Sequence, residues 1–338
     1  MKFLIIHTYG LGDMIMFTPA LQKLIESYPE AKIDFLIFQK VSAEPIKRNN
    51  NVNNIYYSDF NLKSILKTIF KLRKEKYDFI LTTSGTSPIK AGIFNLFLKG
   101  KIKVGEYKKS YERIFFDKKV KYIEDIHRVE NNFNIINSIC KRKIDTEIFK
   151  TKFYGIDYIR KGKTDFDNIK IGIHPGSNKK YKAKRWKKEN FVKLINLLKE
   201  NFSNLEFFIF GGPDEIEEAQ FIAQSTKSHI VQDNLFNVAK EISTCDIFIN
   251  TDSGLGHIAS CFEDIEIFTI FGPAKEYKTA PFSKKANTIS LNIDCRPCYG
   301  TDRLKKCKTF DCLNNLTPEF VFSEIIKKSE ILRKVKNE

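Results

Sequence analysis

The strongest constraint on the fold is a strand–turn–helix unit that the chain uses twice. Phe3-Leu4-Ile5-Ile6-His7 is a continuous apolar run closed by a histidine, the pattern of a parallel strand buried on both faces. Thr8-Tyr9-Gly10-Leu11-Gly12-Asp13 follows as a turn. A helix is predicted over 14–28, with Ile15, Leu21, Leu24 and Ile25 on its apolar side. Far along the chain, Asp246-Ile247-Phe248-Ile249 leads into Asn250-Thr251-Asp252-Ser253-Gly254-Leu255-Gly256-His257, and Ile258-Ala259-Ser260 continues as a helix. Such a turn aims backbone N–H groups and a positive helix end at an anion, normally a phosphate. Asp252 and His257 flank those donors and suit sugar hydroxyls, so the second turn fits a nucleotide-sugar. An ordinary βα loop with Asp252 or Ser253 as the helix N-cap would carry the same signature.

The first turn is not a dinucleotide fingerprint. Its third glycine position holds Ile15, and the second strand, Ile33-Asp34-Phe35-Leu36-Ile37-Phe38, ends in Gln39-Lys40 with no acid for a ribose. The glycines instead let backbone approach a ligand. Asp13 falls at the helix start, where it either caps the helix or serves a cleft.

Strands and helices alternate throughout. Strands are predicted at 3–7, 33–38, 54–57, 78–82 and 101–104, with helices at 14–28, 42–48, 61–75, 88–98 and 126–140. A polar, irregular stretch around Lys161–Asp165 precedes a second series. Its strands are predicted at 169–174, 205–210, 246–249, 266–271 and 287–291, and its helices near 188–202, 213–226, 234–243, 256–262 and 317–334. Two consecutive βα series predict an α/β protein of two doubly wound, Rossmann-like domains, 1–163 and 164–338, facing a cleft. The last helix is expected to be able to pack back on the first domain. Ligands of such sheets bind beyond the carboxyl ends of the strands. Asp13, His174-Pro175-Gly176-Ser177, Gly211-Gly212 and Asp252 all fall there.

Charge narrows the partners. Lys and Arg number 57 against 41 Asp and Glu, a net +16, and most of the excess lies in the first half. Lys99–Lys121 alone holds nine basic and three acidic residues, among them Lys108, Lys109, Arg113, Lys118 and Lys119. A basic face binds nucleic acid, an anionic membrane or an acidic substrate, or is only a solvated surface. No apolar run reaches 18 residues, and strand one starts without a basic leader, so a cytoplasmic protein with reduced thiols is expected.

In the second half, Lys179, Lys180, Lys182, Lys184 and Arg185 precede Trp186. Cations here could neutralise a diphosphate leaving group without a metal, or form a solvated loop anchored by the Trp. Gly211-Gly212-Pro213-Asp214-Glu215 would let a nucleotide approach the backbone, or make a tight turn with a helix cap. Asp165-Phe166-Asp167 reads as linker surface charge rather than a metal pair. Cys295, Cys298, Cys307 and Cys312 lie within eighteen residues. They suggest a structural Zn or Fe site pinning a long loop, with reduced thiols as the alternative. Cys140, Cys245 and Cys261 read as core thiols.

Taken together, the motifs resemble glycosyltransferase family 9, the bacterial heptosyltransferases. The likeness runs from Gly12-Asp13 and Thr18-Pro19-Ala20-Leu21 through His174-Pro175-Gly176-Ser177 and Lys184-Arg185-Trp186. It continues through Gly211-Gly212-Pro213-Asp214-Glu215 and Asp252-Ser253-Gly254 with His257, to Phe271-Gly272-Pro273. The resemblance implies a GT-B fold with an N-terminal acceptor domain and a C-terminal donor domain. It also implies inverting transfer from ADP-heptose without a catalytic metal or cofactor. Carried over by motif, Asp13 resembles the general base and Lys184 the group that stabilises the departing diphosphate. Asp252 would bind heptose hydroxyls, and the Ser253-Gly254-Leu255 backbone would hold phosphate. Ser177, Arg185, Gly212 and Glu215 would contact the donor, and His257 would orient the sugar or support its turn. Gly12 would lie by the acceptor; the segment after Gly105 matches no family motif, but the basic charge of the first half, with Lys108, Lys109 and Arg113, fits an anionic acceptor, a Kdo- or heptose-bearing lipid A core at the inner membrane surface.

Two other readings compete. One is a same-fold enzyme that uses another nucleotide-sugar or a protein acceptor, or an epimerase; Asp13 favours transfer. The other is a nucleic-acid-binding protein drawn by the +16 charge, for which no recognition motif speaks, so no nucleic acid is expected.

Overall fold

A computed structural model of the chain describes residues 1–140, 149–156, 168–177 and 183–336. It divides into two compact units, Met1–Gly155 and Ile156–Glu338. The expected boundary at 163/164, the Asp165-Phe166-Asp167 acids and Lys179, Lys180 and Lys182 lie outside the described residues.

The first unit is built on a parallel sheet of β1 (Lys2–His7), β2 (Lys32–Ile37), β3 (Val52–Tyr57), β4 (Tyr77–Thr82), β5 (Gly100–Tyr107) and β6 (Lys118–Lys121), in the order β3-β2-β1-β4-β5-β6. Phe3, Leu4, Ile5 and Ile6 are fully buried in central β1, as a strand covered on both faces requires. The helices Leu11–Ser27 and Arg128–Asn137 pack against each other. The helices Leu62–Leu72 and Pro88–Phe97 share a core with Leu4, Ile6, Leu36 and Ile80 through Ile69, Leu72 and Phe94. Pro19 lies inside the first helix and has no N–H for the Ile15 carbonyl. The Thr18 hydroxyl takes its place, donating to Ile15 O at 2.7 Å.

The second unit repeats the plan with β7 (Ile169–His174), β8 (Leu205–Phe210), β9 (His229–Val231), β10 (Ile247–Thr251), β11 (Glu266–Ile270) and β12 (Ala286–Ile289), in the order β12-β11-β10-β7-β8-β9. Each sheet reverses its winding beside its first strand, between β1 and β4 and between β7 and β10. Crevices at such switch points are where doubly wound sheets bind ligands.

Several expectations change. The edge strands β6 and β9 were not anticipated: Lys118-Lys119-Val120-Lys121 has no apolar alternation, and β9 is only three residues long. The helix expected at 42–48 is a short 3-10 turn, Lys40–Ala43. The last helix is two, Pro318–Lys328 and Glu330–Lys336, joined at buried Ser329. There the Glu266 carboxylate accepts from Ser329 Oγ at 2.5 Å, Glu330 N–H at 2.8 Å and Ile331 N–H at 3.1 Å. It caps the second helix, and periodicity carries no trace of that interruption. Val321, Ile325 and Leu332 of these helices pack in the second unit's own core with Phe191 and Leu194.

Candidate active site

In the first unit the site grows from the carboxyl ends of β1, β4, β5 and β6. Gly10 is the N-cap of helix Leu11–Ser27, and Gly12 and Asp13 follow in its first turn. Asp13 Oδ1 accepts a 2.5 Å hydrogen bond from Arg128 Nη1. Arg128 opens helix Arg128–Asn137, which His127 and Glu130 close with a capping box. A cation in a first helical turn opposes the helix dipole; Asp13 offsets it, with Glu130 in the same turn. Asn132 fixes the geometry: it accepts from Ser84 N–H at 2.8 Å and donates to Met16 O at 3.2 Å. Gly85, at φ +83°, lets the guanidinium close on the backbone; a Cβ there would lie 2.6 Å from Arg128 Nη1. Tyr9 lies under the same guanidinium, 5.6 Å from ring centre to Cζ.

Two buried titratable groups support this pair. Glu106 accepts from Ser84 Oγ at 3.0 Å and from Gly85 N–H at 3.1 Å. Burial pushes its carboxyl up, against those hydrogen bonds and the Arg128 charge. Burial pushes His7 down, against the Asp13 charge and the Gly10 carbonyl. His7 Nε2 lies 3.3 Å from Gly10 O, and Nδ1 lies 2.9 Å from Thr83 Oγ1. A carbonyl only accepts, so neutral His7 carries its proton on Nε2 and accepts the Thr83 hydroxyl.

Lys108, Lys109 and Arg113 lie beyond β5, at and around the 3-10 turn Ser110–Phe115. Glu112 accepts the Lys108 and Lys109 N–H groups at 2.7 and 2.9 Å. Each cation is over a ring: Lys108 Nζ 4.2 Å from Tyr122, Lys109 Nζ 5.9 Å from Tyr111, Arg113 Cζ 5.3 Å from Tyr107. The side chains stay exposed.

In the second unit the ends of β7, β8 and β10 meet. His174 links them: Nδ1 is 2.8 Å from Ser253 Oγ and Nε2 is 2.8 Å from Glu215 Oε1. Burial would raise the Glu215 carboxyl, but the His174 hydrogen bond and charge, then Arg185, outweigh it and hold it below its ordinary value. Thr251 Oγ1 donates to Gly176 O at 2.6 Å. A Cβ on Gly176 would lie 2.3 Å from Glu215 Cγ, and one on Gly212 3.1 Å from Glu215 Oε1. Arg185 donates to Ser177 O at 3.0 Å, Asp214 O at 3.1 Å and Glu218 Oε1 at 2.8 Å. It clamps the loops that carry Ser177 and Glu215. Trp186 anchors the same segment, donating from Nε1 to Leu316 O at 2.8 Å.

Ser253, not Asp252, is the N-cap of helix Gly254–Ala259, and no side chain caps that helix. Ser253 Oγ is turned to His174, so side-chain capping does not explain the turn. The first-turn N–H groups of Gly254 and Leu255 remain as donors for an anion. Lys184 Nζ is 2.6 Å from Asp252 Oδ2 and lies over the Tyr299 ring at 4.2 Å. His257 is buried in the helix. The sequence thus brings Ser177, Arg185, Gly212 and Glu215 into one network, joined through His174 to Ser253, and pairs Lys184 with Asp252. It missed His7, Glu106 and Arg128, which belong to no short motif. The one available signal was Glu106, an acid in the buried Val104-Gly105-Glu106 stretch near the end of β5.

The cysteine loop departs from expectation. Cys295, Cys298, Cys307 and Cys312 are all free thiols, and among the described residues no three His, Cys, Asp or Glu side chains converge to hold a metal. Cys312 belongs to the second core. Burial, then the charges of Cys295 and Cys298, push its thiol up to about 11. Burial pushes Cys298 up as well. The fold thus lends no support to the Zn or Fe site that the spacing suggested. Cys245 is a core thiol, as expected, whereas Cys140 and Cys261 are only half-buried.

A profile of Glycosyltransferase family 9 (heptosyltransferase) matches residues 65–308. Lipooligosaccharide heptosyltransferase 2 of Campylobacter jejuni is 30% identical over 347 residues, covering 97% of this chain and 99% of that protein. A solved glycosyl transferase family 9 structure from Veillonella parvula has a TM-score of 0.78 at 18% identity, covering 98% of this chain and 97% of that one. E. coli heptosyltransferase WaaC with ADP has a TM-score of 0.73 at 18% identity, covering 97% of this chain and 100% of that one. The fold is therefore GT-B, and a chain with this fold and these relatives is a glycosyltransferase. It belongs to glycosyltransferase family 9.

Proposed function

We propose that this enzyme moves heptose from ADP-heptose to an anionic lipopolysaccharide inner-core acceptor, Kdo- or heptose-bearing lipid A. The observation that carries the substrates is the near end-to-end likeness to a lipooligosaccharide heptosyltransferase; the two switch-point clusters carry the chemistry. In this reading the first unit takes the acceptor and the second the donor. Asp13 is the general base. Arg128 holds its Oδ1, and the acceptor hydroxyl approaches Oδ2. As the acceptor oxygen attacks the anomeric carbon, its proton passes to Asp13 and the bond from that carbon to the diphosphate oxygen breaks. ADP leaves with the electron pair, and the anomeric configuration inverts.

No metal or other cofactor is assigned to this step. Lys184 neutralises the departing diphosphate, exchanging Asp252 for phosphate oxygens. Asp252, freed, accepts from heptose hydroxyls. The Ser253-Gly254-Leu255 backbone holds phosphate, Ser177, Gly212 and Glu215 shape the nucleotide pocket, Arg185 braces it, and His257 supports the turn. Gly12 lets the acceptor come close, and Lys108, Lys109 and Arg113 meet its anionic groups. Among the described residues no helix is long and apolar enough to cross a membrane. The proposed setting is cytoplasmic, in peripheral contact with the inner membrane.

Mass spectrometry of a truncated Kdo-lipid A acceptor, incubated with ADP-heptose and enzyme, tests this. A product heavier by one heptosyl residue is expected. An unmodified acceptor, with heptose instead appearing on a polypeptide, would favour the protein-acceptor alternative.

A further inference from the structure

The helices Leu62–Leu72 and Pro88–Phe97 bury one side against the first sheet. Their opposite sides do not behave like solvent-facing helix surfaces. Leu62, Leu66 and Phe70 recur at every fourth position and are 71%, 45% and 59% exposed. Ile89, Ile93 and Phe97 repeat the pattern on the second helix, at 49%, 37% and 61%. Phe60 joins the two. It stacks on Phe38 at 4.3 Å, which meets Phe94 at 5.7 Å, and Lys90 Nζ caps its ring at 3.8 Å. Single exposed apolar residues are ordinary, but two aligned stripes on adjoining helices mark an interaction surface.

The charges along these stripes are mostly positive, with Asp59 beside Phe60 as the acid at their edge. Lys63, Lys67 and Lys71 alternate with the apolar residues along the first helix, and Arg73 and Lys74 follow it. From Asn61 to Lys74 there is no acid, nor between Asp78 and Glu106, where Lys90, Lys99 and Lys103 lie beside Lys101, itself paired with Asp78 at 2.7 Å. The face also continues into the basic turn beyond β5. Asn95 Nδ2 donates to Phe115 O at 3.2 Å, and Gly92 lies against the Phe115 ring, where a Cβ would come within 2.4 Å. Ile114 of that turn is 77% exposed.

We propose that these two helices form the face by which the protein rests on an anionic phospholipid bilayer, the leucine, isoleucine and phenylalanine side chains entering the acyl boundary. The lysine stems lie along that boundary with their ammonium groups among lipid phosphates. A second copy of the chain is a poorer occupant, because it would set lysines against lysines. The inference deepens the proposed function, on which it rests for the lipid nature of the acceptor: the face runs into the turn carrying Lys108, Lys109 and Arg113.

The test is co-sedimentation of the full chain with phosphatidylcholine vesicles, with and without phosphatidylglycerol. The wild type is expected to bind the anionic vesicles preferentially, less so at high salt. Leu62→Ser/Leu66→Ser/Phe70→Ser and Lys63→Gln/Lys67→Gln/Lys71→Gln should each weaken partitioning by about tenfold or more. Both variants should keep the wild-type melting temperature and turnover on a detergent-dispersed acceptor. Equal wild-type binding to neutral and anionic vesicles, or wild-type partitioning by both folded variants, would overturn the proposal. So would a wild-type dimer that the serine variant abolishes while vesicle binding is absent. Failure of the wild type to turn over dispersed acceptor would count against the proposed function instead, since vesicle binding is read without turnover.

Discussion

Arg128 Nη1 donates to Asp13 Oδ1 at 2.5 Å, joining the first residue of one helix to the first turn of another. The pair fixes one carboxylate oxygen; in the proposed reaction the other faces the acceptor hydroxyl. Its guanidinium is positioned by Gly85, whose backbone accepts no side chain at that distance. Arg128→Lys keeps the charge but loses the planar fork. With misplacement of a base costing up to ~100-fold, kcat should fall about tenfold to a hundredfold, with donor KM little changed. Steady-state kinetics with saturating acceptor checks this. A variant with wild-type kcat would remove Arg128 from the account.

Lys184 and Asp252 neutralise each other at 2.6 Å; the proposed function has the donor separate them. Lys184→Ala should lower kcat by roughly 10²–10³, the cost of losing a group that meets developing charge. Asp252→Asn, which would bind the sugar less well, should mainly raise donor KM. Equal effects of both changes on kcat and KM would mean that the pair is only structural.

Burial raises the Glu106 carboxyl, so the folded chain holds a proton that the unfolded chain has lost. Glu106 therefore contributes stability at low pH that fades as pH rises from the ordinary carboxyl range through the raised folded value. Glu106→Gln keeps an acceptor for Ser84 and Gly85 and removes that fade. Melting temperatures across about pH 4 to 8 should show the variant gaining on the wild type as pH rises. A gap that widens the other way would contradict the assignment.

Glu266 is buried and caps the final helix through Ser329, Glu330 and Ile331. Glu266→Ala removes all three hydrogen bonds and leaves donors without partners. A loss of about 2–3 kcal/mol in urea unfolding is expected, with faster amide exchange over 330–336. Unchanged exchange there would mean that packing of Leu332 alone holds the helix.

The fold was legible because central strands of parallel sheets are apolar on both faces: Phe3–Ile6 and Ile247–Ile249 declare themselves. β6 and β9 did not, since an edge strand needs only backbone pairing. The break at Ser329 escaped because its cause, Glu266, lies 63 residues away in sequence. Turn chemistry exposed Asp13, Ser177, Glu215 and Asp252, since glycines and caps cluster locally. Arg128, Glu106 and His7 come together only when β1, β4, β5 and the helix after β6 are assembled. The four cysteines show the limit of spacing: it suggested a ligand set with reduced thiols as the alternative, and the fold lends the ligand set no support.

In the proposed function Asp13 is the base of an ADP-heptose transferase. The most direct measurement is acceptor-dependent ADP release by the wild type and by Asp13→Asn, each checked for ADP-heptose binding. Release by the wild type and a fall of at least about 10²-fold in the variant are expected, with donor affinity kept. Release by Asp13→Asn at the wild-type rate, or a wild type that binds no ADP-heptose, would contradict the proposed function.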